Sequence, residues 1–162
     1  MNAPARTDHL QPADEPRRLS VGALRGIVGF HVARAAVTTY TAFERCIGQP
    51  FGLRKAEFSL LVILLANDKV SPKPLARLLS VTAPQLTQLL DRLQARGLLT
   101  REPNPQDGRS QLIVLTPDGR TLAAAARAAA APMEAEWSTR LSPAEHAMLI
   151  ELLAKLAGKP NA

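Results

Sequence analysis

The sequence predicts a mainly α-helical protein carrying one small β-hairpin. Three observations lead there. Of 162 residues, 46% are hydrophobic but only 4% aromatic, so the core must be built from Leu, Ile, Val and Ala, which suits closely packed helices better than a β-sandwich. Apolar residues recur at helical spacing over most of the chain, in runs bounded by helix-starting and helix-stopping residues. One stretch, 98–115, reads instead as strand, polar turn, strand.

Residues 1–18 carry Pro4, Pro12 and Pro16 among mixed charges without apolar periodicity, which reads as a flexible N-terminal arm. From Ser20, a plausible N-cap, apolar positions at Leu24, Val28, Val32, Ala35, Ala42 and Phe43 keep helical spacing until Gly48 and Pro50. One long helix is expected there. Gly22, Gly26 and Gly29 weaken its first turns by up to about 1 kcal/mol each, while letting another backbone approach closely. The run LRKAEFSLLVILLAND makes a second helix, with an apolar face through Phe58, Leu61, Val62 and Leu65 and an end at Asn67-Asp68.

Two short helices follow. Ser71 and Pro72 open the first, in SPKPLARLLS. In the second, TAPQLTQLLDRLQARG, Thr82 and Gln85 form a capping box, Pro84 fits the first turn and Gly97 stands where a left-handed C-cap belongs. Leu86, Leu89, Leu90 and Leu93 form its buried stripe and leave Ala83, Gln85, Thr87, Gln88, Asp91 and Arg92 outside it. Leu98–Arg101 and Gln111–Leu115 are the expected strands, joined by a loop holding Pro103, Pro105 and Asp107-Gly108. Thr116 and Pro117 start an Ala-rich helix in which Pro132 predicts a kink or break. Ser142, Pro143 and Glu145 start the last helix, and Gly158 closes it.

Twenty Lys and Arg against fourteen Asp and Glu give a net charge of +6. Residues 1–20 and 121–162 are balanced, with three of each sign and four of each sign, whereas 21–70 hold six basic against three acidic and 71–120 seven against four. A basic middle suits a polyanion met by an internal module rather than by a tail. No run approaches the roughly 18 apolar residues of a membrane span. The N-terminus lacks a signal-peptide apolar run and Cys46 is the sole cysteine, so no membrane association is expected and the cytoplasm is the expected location. Phosphate-binding glycine loops, nucleophile–base neighbourhoods and zinc-ligand spacing are all missing from the sequence, which predicts neither an enzyme nor a bound metal or other cofactor.

The order of elements places a tri-helical unit and a β-wing between helical flanks, the arrangement of a winged helix-turn-helix. The hairpin starts directly after the helix of recognition type, so both can engage one duplex in neighbouring grooves. The run DGRSQLIVLTPDG, with Asp107, Arg109, Ser110, Leu115, Thr116 and Gly119, resembles the Asp-x-Arg-Ser/Ala…Leu-Thr-x-x-Gly signature of the MarR-type (multiple antibiotic resistance regulator) transcription factors. LLDRLQARGLLTR is similar to that family's recognition-helix exit, and the likeness extends over about residues 20–158. It implies a homodimer paired through a helical region at 19–50 and 117–158, with a DNA-binding lobe at 51–116. It also implies a pseudo-palindromic operator on double-stranded DNA and, usually, repression of nearby genes.

The same resemblance assigns roles. Arg109 matches the wing arginine that enters the minor groove, where a guanidinium gains from the narrow-groove potential, and Asp107 would orient it by a charge-assisted hydrogen bond. Gln85, Thr87 and Gln88 fall where the family reads base edges, Gln pairing bidentately with adenine, and Arg92 falls where a phosphate contact is expected. Ala83, Pro84 and Ser110 complete the expected DNA-facing set. Two positions depart from the pattern: Gln88 and Gly108 stand where relatives often carry arginine. Read without the resemblance, Arg109 is a solvated loop arginine, Asp107 a turn residue beside glycine, and the glutamines the wet face of an amphipathic helix.

Relatives bind small aromatic acids or their CoA thioesters between the dimerisation helices and the DNA-binding lobe. By that likeness His31, Arg34, Tyr40 and Phe58 are candidate effector contacts, His31 and Arg34 forming an i, i+3 pair. Alternatively, His31 is a satisfied core or interface histidine. Cys46 raises a redox-sensing alternative, which requires a cationic neighbour; Arg45 is adjacent in sequence, which on a helix does not place it adjacent in space. A winged helix serving protein–protein association without specific DNA binding is the remaining alternative.

Overall fold

The computed structural model describes residues 19–158, so the arm expected at 1–18 lies outside the described residues. They are mainly helical with a single two-stranded antiparallel sheet, and none of their helices is long and apolar enough to cross a membrane. Two compact units divide between Ala36 and Val37.

In the first unit the single helix expected from Ser20 is corrected to a 3-10 turn, Gly22–Gly26, followed by α1 (Val28–Phe43), within whose span the division falls. Gly22 takes φ +51 and Ile27 is extended, so the backbone changes direction where the glycines made an α-helix costly. Ser20 Oγ accepts from the Gly22 N–H at 3.2 Å, closing this turn rather than capping an α-helix.

The second unit continues α1 through a π-helical turn, Glu44–Gly48, and the short α2 (Gln49–Phe51). Gly52 reverses the chain at φ +59. Next come α3 (Lys55–Leu65) and then α4 (Pro72–Leu79) and α5 (Ala83–Ala95), the last two joined through Ser80 at φ 55, an uncommon conformation for a residue other than glycine. Thr82 caps α5 with the reciprocal Gln85 box, and Gly97 takes φ +70 just beyond its end, as their residue types demand. One continuous core unites Phe43, Ile47, Leu60, Leu61 and Leu64 with Leu75, the leucine stripe of α5, and Leu99 and Ile113 of the sheet.

The hairpin is longer than expected. Strands β1 (Leu99–Asn104) and β2 (Asp107–Leu115) absorb Pro103 and Asp107, leaving only residues 105 and 106 between them. Pairing runs from Leu99↔Leu115 to Pro103↔Gln111, with a register shift before Asn104↔Asp107. A proline suits such a two-stranded ribbon because both of its strands are edges.

Helix α6 (Pro117–Ser138) passes through Pro132 without ending, so of the expected kink or break the break does not occur. Proline removes one N–H, and the alanines before it have the highest helix propensity. The Leu-Thr-x-x-Gly run explains how α6 is seated. Thr116 Oγ1 donates to the Gly97 carbonyl (2.7 Å) and accepts from the Gly119 N–H (3.0 Å). A Cβ at position 119 would collide with the Leu98 carbonyl, so only glycine lets the helix sit there. Helix α7 (Pro143–Leu156) is capped by Ser142, whose backbone N–H and hydroxyl bond the Glu145 carboxylate and hold its pKa below the ordinary carboxylate range. None of its side chains is buried, and Met148, Ile150, Leu152 and Leu156 are more than half exposed.

Candidate nucleic-acid interface

Helix α5 presents an outer face whose residues are not equally available. Gln85 Oε1 accepts from the Thr82 N–H (2.9 Å) and the Thr82 hydroxyl (3.0 Å), so its carbonyl end is engaged in the cap. Thr87 donates its hydroxyl proton to the Ala83 carbonyl (3.0 Å), leaving oxygen lone pairs for a partner. Gln88 is exposed and makes no side-chain hydrogen bond among the described residues, so both ends of its amide can face a base edge. Ala83 and Pro84 are exposed at the leading end of the helix.

Both flanks of α5 are tied by ion pairs. On one side Arg92 Nε donates to Glu57 Oε1 of α3 (3.1 Å), and Arg96 Nη1 lies 3.8 Å from Glu57 Oε2. Arg96 also donates to the carbonyls of Gly52 (2.9 Å) and Phe51 (3.4 Å). On the other side Arg101 of β1 pairs with Asp91 (2.5 Å). Arg92, expected on phosphate, thus faces an internal carboxylate. Glu57, which composition gave no reason to single out, sits at the floor of an open cleft of about 750 Å³ ringed by Arg54, Lys55, Arg92 and Arg96.

The wing is pinned at both ends. At its root Ile113 exchanges two backbone hydrogen bonds with Val70, at 2.8 and 3.2 Å. Near its tip Asn104 Nδ2 donates to Ser110 Oγ (2.9 Å), and that hydroxyl donates to the Asp107 carbonyl (3.1 Å). Ser110, expected to face DNA, is therefore engaged within the hairpin. Asn104 Oδ1 also accepts from the Gln106 N–H (3.0 Å), a role signalled in sequence by the turn-starting Asn104-Pro105 pair. Asp107 opens β2 and the backbone of Arg109 follows in the same strand. A cleft of about 420 Å³ between α4, α5 and the sheet is lined by Lys73, Thr87, Arg101 and Gln111. Lys73 is an exposed cation that the recognition-helix pattern did not reach.

The effector candidates are placed separately. In the first unit His31 Nε2 donates to the Arg25 carbonyl (2.8 Å), its ring meets Phe30 edge-on at 5.4 Å, and the Arg34 guanidinium stands 5.6 Å over the Phe30 ring. In the second, Tyr40 lines an open cleft of about 360 Å³ with its ring beneath Lys55 Nζ (3.1 Å), while Phe58 meets Phe43 edge-on at 5.7 Å beside the core. Cys46 is half-buried against the core, and Arg45 Nη2 lies 4.0 Å from its sulfur, so the neighbour in sequence is here also a neighbour in space. Arg45 also pairs with Glu136 of α6.

Comparison with known proteins adds to this geometry. A model of the MarR family matches residues 51–110. An HTH-type transcriptional repressor of Mycobacterium bovis is 33% identical over 107 residues, 66% of this chain and 77% of that protein. The transcriptional repressor CouR, bound to a 23-mer DNA duplex, aligns with a TM-score of 0.80 at 31% identity, covering 86% of this chain and 99% of that one. CouR from Rhodococcus jostii RHA1, bound to p-coumaroyl-CoA, aligns at 0.76 with 25% identity, over 87% and 99%.

Proposed function

Because this chain belongs to the MarR family of transcriptional regulators, we propose that it is a ligand-responsive repressor, binding a pseudo-palindromic operator as a homodimer. The observation that carries this reading is the outward, fully available amide of Gln88 on a capped recognition helix whose C-terminal end leads directly into the wing. Helix α5 enters the major groove, where Gln88 reads a base and Thr87 supports it. The wing carries Arg109 into the adjacent minor groove, with Asp107 steadying it. The DNA-binding lobe is 51–116, and dimerisation uses 19–50 and 117–158. The apolar side chains that α7 leaves exposed support that pairing, since a contiguous apolar patch on a lone chain favours association.

The effector is a small aromatic acid or its CoA thioester, with His31 and Arg34 of the first unit and Tyr40 and Phe58 of the second each a candidate contact. Support comes from the p-coumaroyl-CoA bound by CouR and from the cations near the aromatic rings of Phe30 and Tyr40 here. Binding of that effector releases the operator by favouring a dimer whose two recognition helices no longer match successive major-groove faces, about 10 bp apart.

Fluorescence anisotropy tests the reading, using the protein's own upstream intergenic DNA against scrambled DNA across a salt series. The titrations are run with and without benzoate, hydroxycinnamates and their CoA thioesters. The expected result is selective, salt-sensitive binding relieved by one member of the panel, with Arg109→Ala weakening binding while the dimer persists. Equal binding to both DNAs at every salt concentration would overturn it in favour of a protein-docking role.

A further inference from the structure

Glu57 is the one buried charged side chain among the described residues, with 4% of its surface exposed. A carboxylate withdrawn from water is tolerated only where donors surround it, and here the donors come from two directions. The Arg54 N–H, at the start of Glu57's own helix, donates to Oε2 at 2.9 Å. Arg92 Nε, on the recognition helix, donates to Oε1 at 3.1 Å, and Arg96, the C-cap just past the end of α5, adds a second guanidinium charge. One carboxylate thus closes the N-terminus of α3 and holds α5 against it.

Resting on the DNA-binding reading above, we infer that Arg92 is an internal strut and not a phosphate contact, and that Glu57 and Arg92 are positioning residues for operator recognition. The side chain of Arg92 is 41% exposed, so water reaches its outer edge, yet its Nε points at Glu57. Swinging it out to a phosphate would leave the buried carboxylate with the Arg54 N–H and, for charge, only the Arg96 guanidinium at 3.8 Å. Losing one partner of a buried pair is the unfavourable case, because the other charge stays desolvated. Gln88 lies four residues before Arg92, on the same side of the helix and one turn away. The strut therefore sets the depth and tilt at which the reading amide meets a base edge.

The consequence differs measurably from that of a phosphate contact. A phosphate contact releases counterions, so deleting it from both protomers flattens the slope of log affinity against log salt by about 1.8. A strut has no counterion to release. The experiment is operator binding by the full chain across a salt series, for the wild type, Glu57→Gln, Arg92→Gln and the double variant. Melting temperature and sedimentation confirm fold and assembly. Each single variant should lose about tenfold in operator affinity or more, with an unchanged salt slope and reduced discrimination against scrambled DNA. The double variant should lose no more than the weaker-binding single variant.

Arg92→Lys supplies the second test should Arg92→Gln fold poorly. It keeps the charge but not the Nε donor, so a strut fails where a phosphate contact survives. A slope that falls by about 1.8 in Arg92→Gln, losses that multiply in the double variant, or full affinity in Arg92→Lys would each overturn the inference and leave the regulator reading standing. A wild type without selective binding would remove both. The Arg92 Nε–H resonance separates those cases without DNA: a strut shows a slowly exchanging signal that Glu57→Gln abolishes, and a signal indifferent to that substitution counts against the strut.

Discussion

Helices α3 and α7 are made of the same kinds of residue and meet opposite fates. In α3, Leu60 and Leu61 are fully buried and Leu64 nearly so, held between α5, α6 and the sheet. In α7, Ile150, Leu152 and Leu156 are 56%, 53% and 62% exposed. Composition does not distinguish the two helices. What differs is the neighbours the single chain supplies: α3 is enclosed, whereas α7 displays apolar side chains that the described residues leave exposed. The core around α3 is closed within one chain by residues of α1, α5, α6 and the sheet, whereas the proposed dimer would cover α7 by association.

Two substitutions break that comparison most sharply. Leu61→Ala should cost about 2–5 kcal/mol, because the cavity forms in a packed core; urea melts would check it, and the loss should be the same at every protein concentration. Leu152→Asp should leave the lobe folded and convert the protein to monomer by sedimentation. It should also abolish the rise of melting temperature with concentration that a dimer shows. An unaltered dimer would show that the α7 stripe is not the interface.

Next in size is Gly119→Ala. The added methyl meets the Leu98 carbonyl, a backbone atom that cannot turn aside, and overpacking of this kind costs about 3 kcal/mol, read as a lower urea midpoint. Smallest is Ser142→Ala at the start of α7, about 1 kcal/mol of cap, visible in the far-ultraviolet dichroism melt. Its pH dependence sharpens the point. The Glu145 carboxyl is held low by the Ser142 backbone N–H and hydroxyl, so its stabilisation is present above the ordinary carboxylate range and disappears as pH falls through the lowered value. In Ser142→Ala that acid-side loss should shrink, whereas Gly119→Ala should keep it.

Much of this architecture was legible because local chemistry marks it. Thr82 with Gln85, Gly97, Thr116, and Ser142 with Glu145 each specify a helix end by hydrogen bonds made within a few residues, and each does so in the structure. The failures arose where distant parts decide. Whether Pro132 ends α6 depends on packing and on the alanines before it, and whether Gly22 and Gly26 bend the chain depends on what competes with the helix. At the interface the leucine stripe of α5 correctly predicted which face points outward. The capping box already implied that Gln85 is engaged in its own helix, but sequence spacing could not show that Ser110 is engaged within the hairpin, nor that Arg92 meets Glu57, thirty-five residues away. A lone glutamate at the start of an apolar helix looks like an ordinary capping residue until its neighbours from α5 are in place.

The pair of backbone hydrogen bonds between Val70 and Ile113 makes the hairpin mechanically a beam clamped near its root. Three paired positions, Glu102↔Leu112, Pro103↔Gln111 and Asn104↔Asp107, project beyond that clamp at roughly 3.3 Å each, an arm of about 10 Å before the turn. Backbone amides at the base, Ile113 above all, should exchange with deuterium only through opening of the whole lobe, while protection declines outward along the arm. Such an arm delivers its far end to a narrow zone of space before any partner arrives, so the ordering of the loop is built into the folded lobe instead of being charged against binding.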